Sequence, residues 1–382
     1  MRKSIFAIFT AAVAVAAALL LTGCERAIDM TGRPVSFSAV AMDYAAGTRS
    51  NLPDTRVIYG DITGTGTKTQ AIEWIKGDLI TIHSPQCTRI QSDGDKQTCE
   101  YIVTEVGSDD ASQAGIGLPY YIAEGLQWNG EGAYTFYALY PGMDTEGMTG
   151  NAIVAGEHVT ITGTIPAVQG YGTITGETGK VVPPDMRNMY MAAKTDIDAS
   201  KVGDDVELDF MPLTTAVELT VINQSKAQLE LKSVSLTSAS QALNGNFTAD
   251  MDDITSGYPS CLRTGGTVTD GDRTVAISFD NAITLAYDAD DIDKCGSLTF
   301  TFFLLPTQDV DDLTFTFTKS DDSRLSIRLG YQDGTGIVFP QFKKTQIKGL
   351  LLPEGAQLFV RYDGSLDSWT DGSEIPMTLE QQ

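Results

Sequence analysis

Residues 217–221 read Val-Glu-Leu-Thr-Val, a strict alternation of apolar and polar side chains. The same alternation occurs in Val35-Ser-Phe-Ser-Ala39 and in Leu313-Thr-Phe-Thr-Phe317. A period of two buries one face of a β-strand and leaves the other face wet, whereas no window of helical length after residue 24 keeps an apolar period of 3.6. Together with 37 glycines, these runs predict an all-β fold of antiparallel sheets packed as sandwiches.

The strand pattern pauses once, in a polar region at residues 163–209 that contains Pro183-Pro184. Aromatic strands lie on either side of this region, at Tyr134–Pro141 and Leu298–Pro306, and each stops at a proline, which cannot donate to a ladder. We therefore place a domain boundary near residue 200. The predicted organisation is a signal peptide at residues 1–23, an N-terminal β-sandwich domain at 24–200 and a C-terminal β-sandwich domain at 201–382.

The chain begins with the features of a bacterial lipoprotein signal. Arg2 and Lys3 precede an apolar run of about 17 residues, which ends at Leu21-Thr-Gly-Cys24. The run is near the lower limit for a membrane span and has no basic stop-transfer flank, so we interpret it as cleaved. Cys24 is then the lipidation site, because its thiol takes the diacylglyceryl group. An ordinary signal peptide with a chance cysteine is the alternative.

The mature chain is strongly acidic. Cleavage after residue 23 removes Arg2 and Lys3 and no acid, which leaves 24 basic residues against 50 acidic ones, a net charge of −26. Such a chain repels phosphate backbones, so nucleic acid is not expected as a partner. The acids are scattered as in solvated loops. Asp93-Gly94-Asp95 lacks the spaced ligand series of a calcium loop, and no metal site or cofactor is predicted.

Four cysteines follow Cys24, an even number that suits an exported protein. Cys87 and Cys99 flank a polar stretch that resembles a hairpin tip, so they could face each other across paired strands and form a disulfide. Cys261 and Cys295 are a looser candidate pair. Buried free thiols are the alternative for both pairs.

The sequence lacks the residues of a recognisable catalytic site. It has two histidines, His83 and His158, and neither stands in a known signature. The stretch Leu79–His83 is typical of a strand, so His83 is interpreted as a strand residue. The acids supply many carboxylates without identifying a glycosidase pair. The chain is therefore predicted not to be an enzyme.

A surface glycan-binding lipoprotein is the alternative to a structural role. Trp74, Trp128 and Trp369 could stack on sugar rings, although three tryptophans in sandwiches of this size are more often core or sheet-edge residues.

Several segments, in order, resemble the fimbrillin-like (Mfa-like) lipoproteins of Bacteroidetes, the subunits of lipoprotein-derived fimbriae. The resemblance spans nearly the whole mature chain, and the four extra cysteines depart from it. The matching segments are Pro34–Val40, Thr55–Tyr59, the Trp-x-x-Gly-Asp strand at 73–80, Ala133–Pro141, residues 185–193, Phe210–Asn223, Phe303–Pro306 and Ile347–Pro353.

This resemblance implies a fold of two transthyretin-like β-sandwich domains and a route of assembly. In that route the lipid-anchored precursor reaches the outer membrane, and a trypsin-like, arginine-specific protease cuts after the first strand. Loss of the strand opens a groove that a strand of another subunit fills. Here the first strand would be about Pro34 to Met42, and the candidate cleavage sites are Arg56 and Arg49, both preceded by threonine.

The resemblance also implies the location, first as a lipid-anchored precursor in the outer membrane and then in a fimbria at the cell surface. It implies the partners as well. The partners would be other fimbrial subunits, as a homopolymer or a heteropolymer, the arginine-specific protease and the outer membrane, with a host or bacterial surface as a further ligand. The best donor strand in the chain would come from the C-terminal segment, at Gln357–Tyr362 or Ile375–Leu379. The alternative is that Arg49 and Arg56 are loop charges and that the subunit keeps its anchor.

Replacing Cys24 with alanine should abolish tight membrane attachment, because two or three acyl chains supply the anchor. The variant should take up no acyl label and leave the outer-membrane fraction on washing with high salt. A Cys24→Ala protein that stays in that fraction after the wash would contradict the lipoprotein interpretation.

Overall fold

The computed structural model describes residues 29–41, 58–63, 69–89, 97–253, 259–310, 312–331, 337–339, 341, 344–352, 357–362 and 377–379. These residues form β-strands and three single-turn 3₁₀ helices, and no helix among them is long and apolar enough to cross a membrane. The strands of the first half are β1 (Phe37–Ala41), β2 (Ile58–Thr63), β3 (Thr69–Glu73), β4 (Leu79–His83), β5 (Thr98–Val106), β6 (Gln113–Gly117), β7 (Tyr134–Tyr140), β8 (Ala152–Val154), β9 (Thr160–Ile165), β10 (Gly179–Val182), β11 (Met191–Ile197) and β12 (Val206–Pro212).

The strands of the second half are β13 (Thr215–Asn223), β14 (Leu229–Ser238), β15 (Gly245–Asp250), β16 (Cys261–Arg263), β17 (Thr274–Leu285), β18 (Ser297–Leu304), β19 (Thr307–Val310), β20 (Asp312–Lys319), β21 (Arg324–Tyr331), β22 (Ile337–Phe339), β23 (Lys344–Leu352), β24 (Gln357–Tyr362) and β25 (Met377–Leu379). The all-β class predicted from the sequence is confirmed.

The N-terminal half closes into a barrel. Its strands follow the order β1-β12-β11-β7-β4-β5-β6, and β6 pairs back onto β1. Alternate residues of each strand point inward, as on β7, where Tyr134, Phe136, Ala138 and Tyr140 belong to the barrel core. The closed ring leaves no free sheet edge as long as every strand stays in place.

The C-terminal half is a two-sheet sandwich. A four-stranded sheet, β10-β18-β13-β23, and a six-stranded sheet, β17-β14-β20-β21-β24-β25, share one hydrophobic core. The alternating runs noted in the sequence supply both faces of it, with Val217, Leu219 and Val221 from β13 opposite Leu313, Phe315 and Phe317 from β20.

A third sheet lies over the outside of the barrel. Its order is β16-β15-β9-β8, and its apolar face packs on outward residues of β7 and β11, such as Tyr137 and Ala192, and on Tyr190 just before β11. Gly163 on β9 makes the close approach possible, because a Cβ there would meet the rings of Phe247 and Tyr190 at 2.6 Å. β7 is therefore buried on both faces, which explains its nearly continuous run of aromatic and apolar residues.

The predicted domain limits, 24–200 and 201–382, remain a prediction. Strands from the two sides of residue 200 share sheets, since β12 completes the barrel and β15 pairs with β9.

A buried carboxyl group lies on the outer face of the barrel, where β4 and β5 pair. Glu100 on β5 accepts a hydrogen bond from the Thr81 hydroxyl at 2.7 Å, and that hydroxyl accepts one from the Met143 amide at 2.8 Å. Gly142 packs directly against the carboxylate, where a Cβ would collide with it. Burial raises the pKa of Glu100 to about 7, and the charge of Asp144 adds to the rise.

This raised pKa predicts a pH dependence of stability. In the unfolded chain the carboxyl ionises near its ordinary pKa of 4.5, so between that value and about 7 only the folded state keeps the proton. The free energy of unfolding should therefore fall as pH rises through this window, by roughly 3 kcal/mol at most, and level off above it. Glu100→Gln should remove this part of the pH dependence, whereas Glu105→Gln, an exposed position on the same strand, should keep it. Urea unfolding at pH 5 and pH 8 measures both, and identical pH dependence in wild type and Glu100→Gln would contradict the assignment.

Candidate functional site: the first strand and its groove

The first strand closes the barrel by pairing on both sides. It runs parallel to β12, with Phe37, Ala39 and Ala41 opposite Val206, Leu208 and Phe210. It runs antiparallel to β6, with Phe37 opposite Ile116 and Ala39 opposite Ala114. The backbone groups of β12 and β6 that face β1 therefore depend on this one strand for their partners.

Backbone hydrogen bonds extend the attachment beyond both ends of β1. The Val35 amide donates to the Leu126 carbonyl at 2.9 Å, and the Trp128 amide donates to the Arg33 carbonyl at 3.0 Å. At the other end the Ala41 amide donates to the Ser112 carbonyl at 2.9 Å. The segment that fits the groove thus covers residues 33–41, close to the predicted strand from Pro34 to Met42.

The inward side chains of this segment alternate as the sequence predicts. Val35, Phe37, Ala39 and Ala41 are each at most 6% exposed, while Ser38 and Val40 point outward and are partly exposed. Phe37 meets the rings of Tyr101 and Phe136 edge to face, with centroids 5.1 and 5.4 Å away. Contacts of this kind add to the hydrophobic gain of burying the ring.

The inward residues of β1 become smaller toward Ala41. Trp74 fills this end of the barrel, with its ring 5.1 Å from Phe210 and 5.5 Å from Tyr140. Phe210 is also the in-register neighbour of Ala41. Small residues on β1 therefore leave room for the large ring system inside.

On the outer face one side-chain contact joins β1 to its parallel neighbour. The Ser38 hydroxyl donates to Asp205 just before β12, at 2.7 Å. The bond lies at the surface, so it contributes less than the buried contacts.

The candidate modification sites lie outside the described residues. Cys24 precedes them, and Arg49 and Arg56 fall in the sequence between the end of β1 at Ala41 and the start of β2 at Ile58. A cut after either arginine would separate β1, together with everything before it, from the rest of the chain.

The predicted donor segments are strands of the C-terminal sandwich. β24 lies parallel to β21, and β25 pairs antiparallel to β24 as the last strand of the six-stranded sheet. β24 and β25 therefore lie at one margin of the six-stranded sheet.

The four cysteines after Cys24 are buried free thiols in this structure. Cys99 lies on β5 opposite Ile82, whereas Cys87 follows β4 in a turn, so the two are not cross-strand neighbours as in a simple hairpin. Burial raises the pKa of each of these two thiols to about 11.

Cys261 lies on β16 of the third sheet, and burial raises the pKa of its thiol. The Cys295 sulfur lies 3.3 Å from the Asp288 carbonyl oxygen in another part of the fold. The two disulfides stay predictions for the oxidised, exported protein.

Two of the three tryptophans are core residues and offer no platform for a sugar. Trp74 and Trp128 are 2% and 1% exposed in the barrel interior, and Trp369 lies outside the described residues. Within the described ranges, the exposed aromatic residues are Tyr120 and Tyr121, at 100% and 51%, whose rings stand at 89° in the turn after β6. No pattern considered in the sequence predicted this pair, although the run Pro119-Tyr-Tyr is typical of an exposed turn.

The histidines do not form a catalytic arrangement among the described residues. His83 ends β4, as predicted, and its Nδ1 lies 2.9 Å from the Thr98 hydroxyl. His158 pairs with Asp250 at the surface, and the hydrogen bond to Asp250 raises the pKa of the imidazole. Within the described ranges, no group of three or more His, Cys, Asp or Glu residues is placed to hold a metal ion.

Comparison with known proteins adds structural likeness. No family model matches the chain, and no curated protein matches it. It is similar to the crystal structure of a candidate cell adhesion protein from Bacteroides ovatus, with 14% identity, a TM-score of 0.45 and coverage of 91% of this chain and 96% of that one.

Two further similar structures have fimbrial names. One is a fimbrial protein from Bacteroides vulgatus (12% identity, TM-score 0.35, covering 69% of this chain and 82% of that one). The other is a fimbrial assembly protein from Parabacteroides distasonis (12% identity, TM-score 0.33, covering 82% and 90%). These names agree with the family that the sequence segments resemble. Likenesses at this level carry no argument about function, which rests below on the geometry of β1.

Replacing Phe37 with alanine should destabilise the barrel by about 3–5 kcal/mol, because the substitution leaves a cavity against Tyr101 and Phe136. Val40→Ala, on the outward face of the same strand, should cost about 1 kcal/mol or less. Urea unfolding followed by fluorescence of the buried Trp74 and Trp128 measures both losses. Equal losses for the two variants would show that β1 is not held by its inward face.

Proposed function

We propose that this chain is a structural subunit of a cell-surface fimbria, a pilin or a tip adhesin, exported as a lipoprotein and assembled by proteolytic removal of its first strand. The observation that carries the proposal is the position of β1. It completes the barrel on two sides, and it is the described strand nearest to Cys24 in the sequence. Lipid anchor and closing strand therefore belong to one removable piece.

A cut between Ala41 and Ile58 would allow β1 and the residues before it to leave the barrel. The cut leaves β1 attached only by backbone hydrogen bonds and side-chain packing. Burial of Val35 and Phe37 contributes about 1.5–3 kcal/mol each, with smaller terms from Ala39 and Ala41. Such an attachment is strong enough to hold the strand in an intact monomer and weak enough to be exchanged once the covalent link is gone.

The vacated groove would favour a new strand. Loss of β1 would expose apolar surface in the barrel and leave backbone donors and acceptors of β12 and β6 without partners, which costs free energy if they stay buried. A strand from another subunit repairs both defects by β-augmentation. The partners are then other fimbrial subunits, an arginine-specific protease and the outer membrane, to which the lipid anchors the precursor.

Replacing both Arg49 and Arg56 with alanine should block fimbria formation and leave a folded, membrane-anchored monomer. Arg33→Ala is the matched control, because a cut at Arg33 would not separate β1 from the barrel. Electron microscopy of the producing cells and mass analysis of the surface protein give the readout. Polymerisation of the double variant at wild-type level would refute assembly by strand removal and favour an anchored tip or adhesin.

A second candidate function is glycan binding at the cell surface. The exposed Tyr120 and Tyr121 are the observation that favours it, because two tyrosine rings at a turn present flat apolar faces with polar ends. Calorimetric titration of the intact protein against a panel of polysaccharides separates this function from a purely structural one.

A further inference from the structure

We infer that the barrel groove selects a strand in which a large inward side chain, in the place of Phe37, is followed by two small ones, in the places of Ala39 and Ala41, and that this strand comes from a different kind of subunit. The inference rests on the proposed function, because it concerns the strand that replaces β1. The groove has two different ends. The Phe37 end is lined by Tyr101 and Phe136, and the Ala41 end is lined by Trp74 and Phe210.

The Phe37 end of the groove requires a large apolar side chain. Phe37 is 3% exposed and contacts the Tyr101 and Phe136 rings edge to face. The Phe136 ring in turn lies 5.7 Å from Trp128. A strand with a small residue here would leave a cavity among these rings, and the surroundings of a packed core relax only in part to fill it.

The Ala41 end of the groove requires small side chains at two successive inward positions. Ala39 is 0% exposed and lies between Leu208 and Ala114 of the neighbouring strands, and Ala41 is 2% exposed beside Phe210. The Trp74 ring, packed on Phe210 and Tyr140, occupies the space beneath. Added methylene groups at these positions would overpack the core.

The chain's own C-terminal strands lack this pattern. Alternate residues of β24 are Leu358, Val360 and Tyr362 on one face and Gln357, Phe359 and Arg361 on the other. The last segment offers Ile375, Met377 and Leu379. Neither set places two small residues two positions apart in either direction, so neither would fill the groove as β1 does.

The occupant is therefore a strand of another fimbrial subunit, in which a phenylalanine or similar residue is followed at two-residue intervals by two alanines or glycines. The ladder bonds of β12 and β6 are available to any extended strand, so the inward side chains decide which strand fits. The chain would then accept a strand from a different subunit and would not polymerise efficiently with itself.

Peptide exchange tests the inference with a wild-type barrel. A site for a sequence-specific protease is inserted between residues 42 and 57 of the otherwise complete, unlipidated chain, and the chain is cut there. A labelled peptide of residues 33–42 is exchanged into the groove and followed by fluorescence anisotropy. The competitors are the same peptide unlabelled, its Phe37→Ala, Ala39→Leu and Val40→Leu variants, and peptides of residues 356–363 and 374–381.

We expect the Phe37→Ala and Ala39→Leu peptides and both C-terminal peptides to compete at least tenfold more weakly than the unlabelled wild-type peptide. Val40→Leu, which enlarges the outward face, should stay within threefold of it. The Ala39→Leu peptide is the sharpest member of the set, because it is more apolar than the wild type and can bind more weakly only through lack of space.

The outcomes separate the two proposals. If the labelled peptide exchanges but the C-terminal and Ala39→Leu peptides compete as well as wild type, the selection inference is wrong and assembly by strand exchange stands. If not even the wild-type peptide enters the cut barrel, the groove does not reopen, and both the proposed function and the inference fail.

Discussion

The pairing of β1 with two strands at once is the interaction on which the barrel depends. β12 and β6 lie on opposite sides of β1, and no direct pairing joins them among the described residues. A barrel avoids exposed strand edges only while it is closed, so the loss of one strand creates two edges together. If β1 leaves, β12 and β6 each keep one barrel neighbour, and the other four barrel strands keep two. The removal of β1 therefore opens the ring without dismantling it.

The position of β1 in the chain makes such removal topologically simple. An internal strand would need cuts on both sides, and its loss would disconnect the neighbours that it joins. β1 is the first of the described strands, so one cut between Ala41 and Ile58 separates it from all the others. After such a cut, pairing and packing alone would hold β1 to β12. Parallel pairing of this kind requires a long connection, here the chain from β2 to β11, and the cut would fall at its start, before β2. The strands from β2 onward would stay joined to β12 when β1 departs.

The sequence predicts which residues of β1 are buried but not what they touch. Alternation in Val35–Ala39, Val217–Val221 and Leu313–Phe317 reports that one face is covered, and the structure confirms all three strands. Alternation carries no information on the neighbouring strand, so the parallel partner β12 and the rings around Phe37 could not be foreseen. The same gap explains Trp74 and Trp128, whose burial depends on barrel closure, and Cys87, which lies in a turn after β4 where a continuous strand was expected.

Backbone and side chains have different roles in this groove. Ladder hydrogen bonds form with any extended chain, so they contribute affinity and little choice between strands. Inward side chains meet a core that is already packed, and a packed core responds to single methylene groups. In this barrel the core differs along the groove. The Tyr101 ring contacts Phe37 at one end, and the Trp74 and Phe210 rings pack on each other near Ala41 at the other. If another strand takes the place of β1, as we propose, discrimination between incoming strands would come from the inward residues at positions 37, 39 and 41. A strand with large residues throughout would gain the ladder bonds and lose the fit.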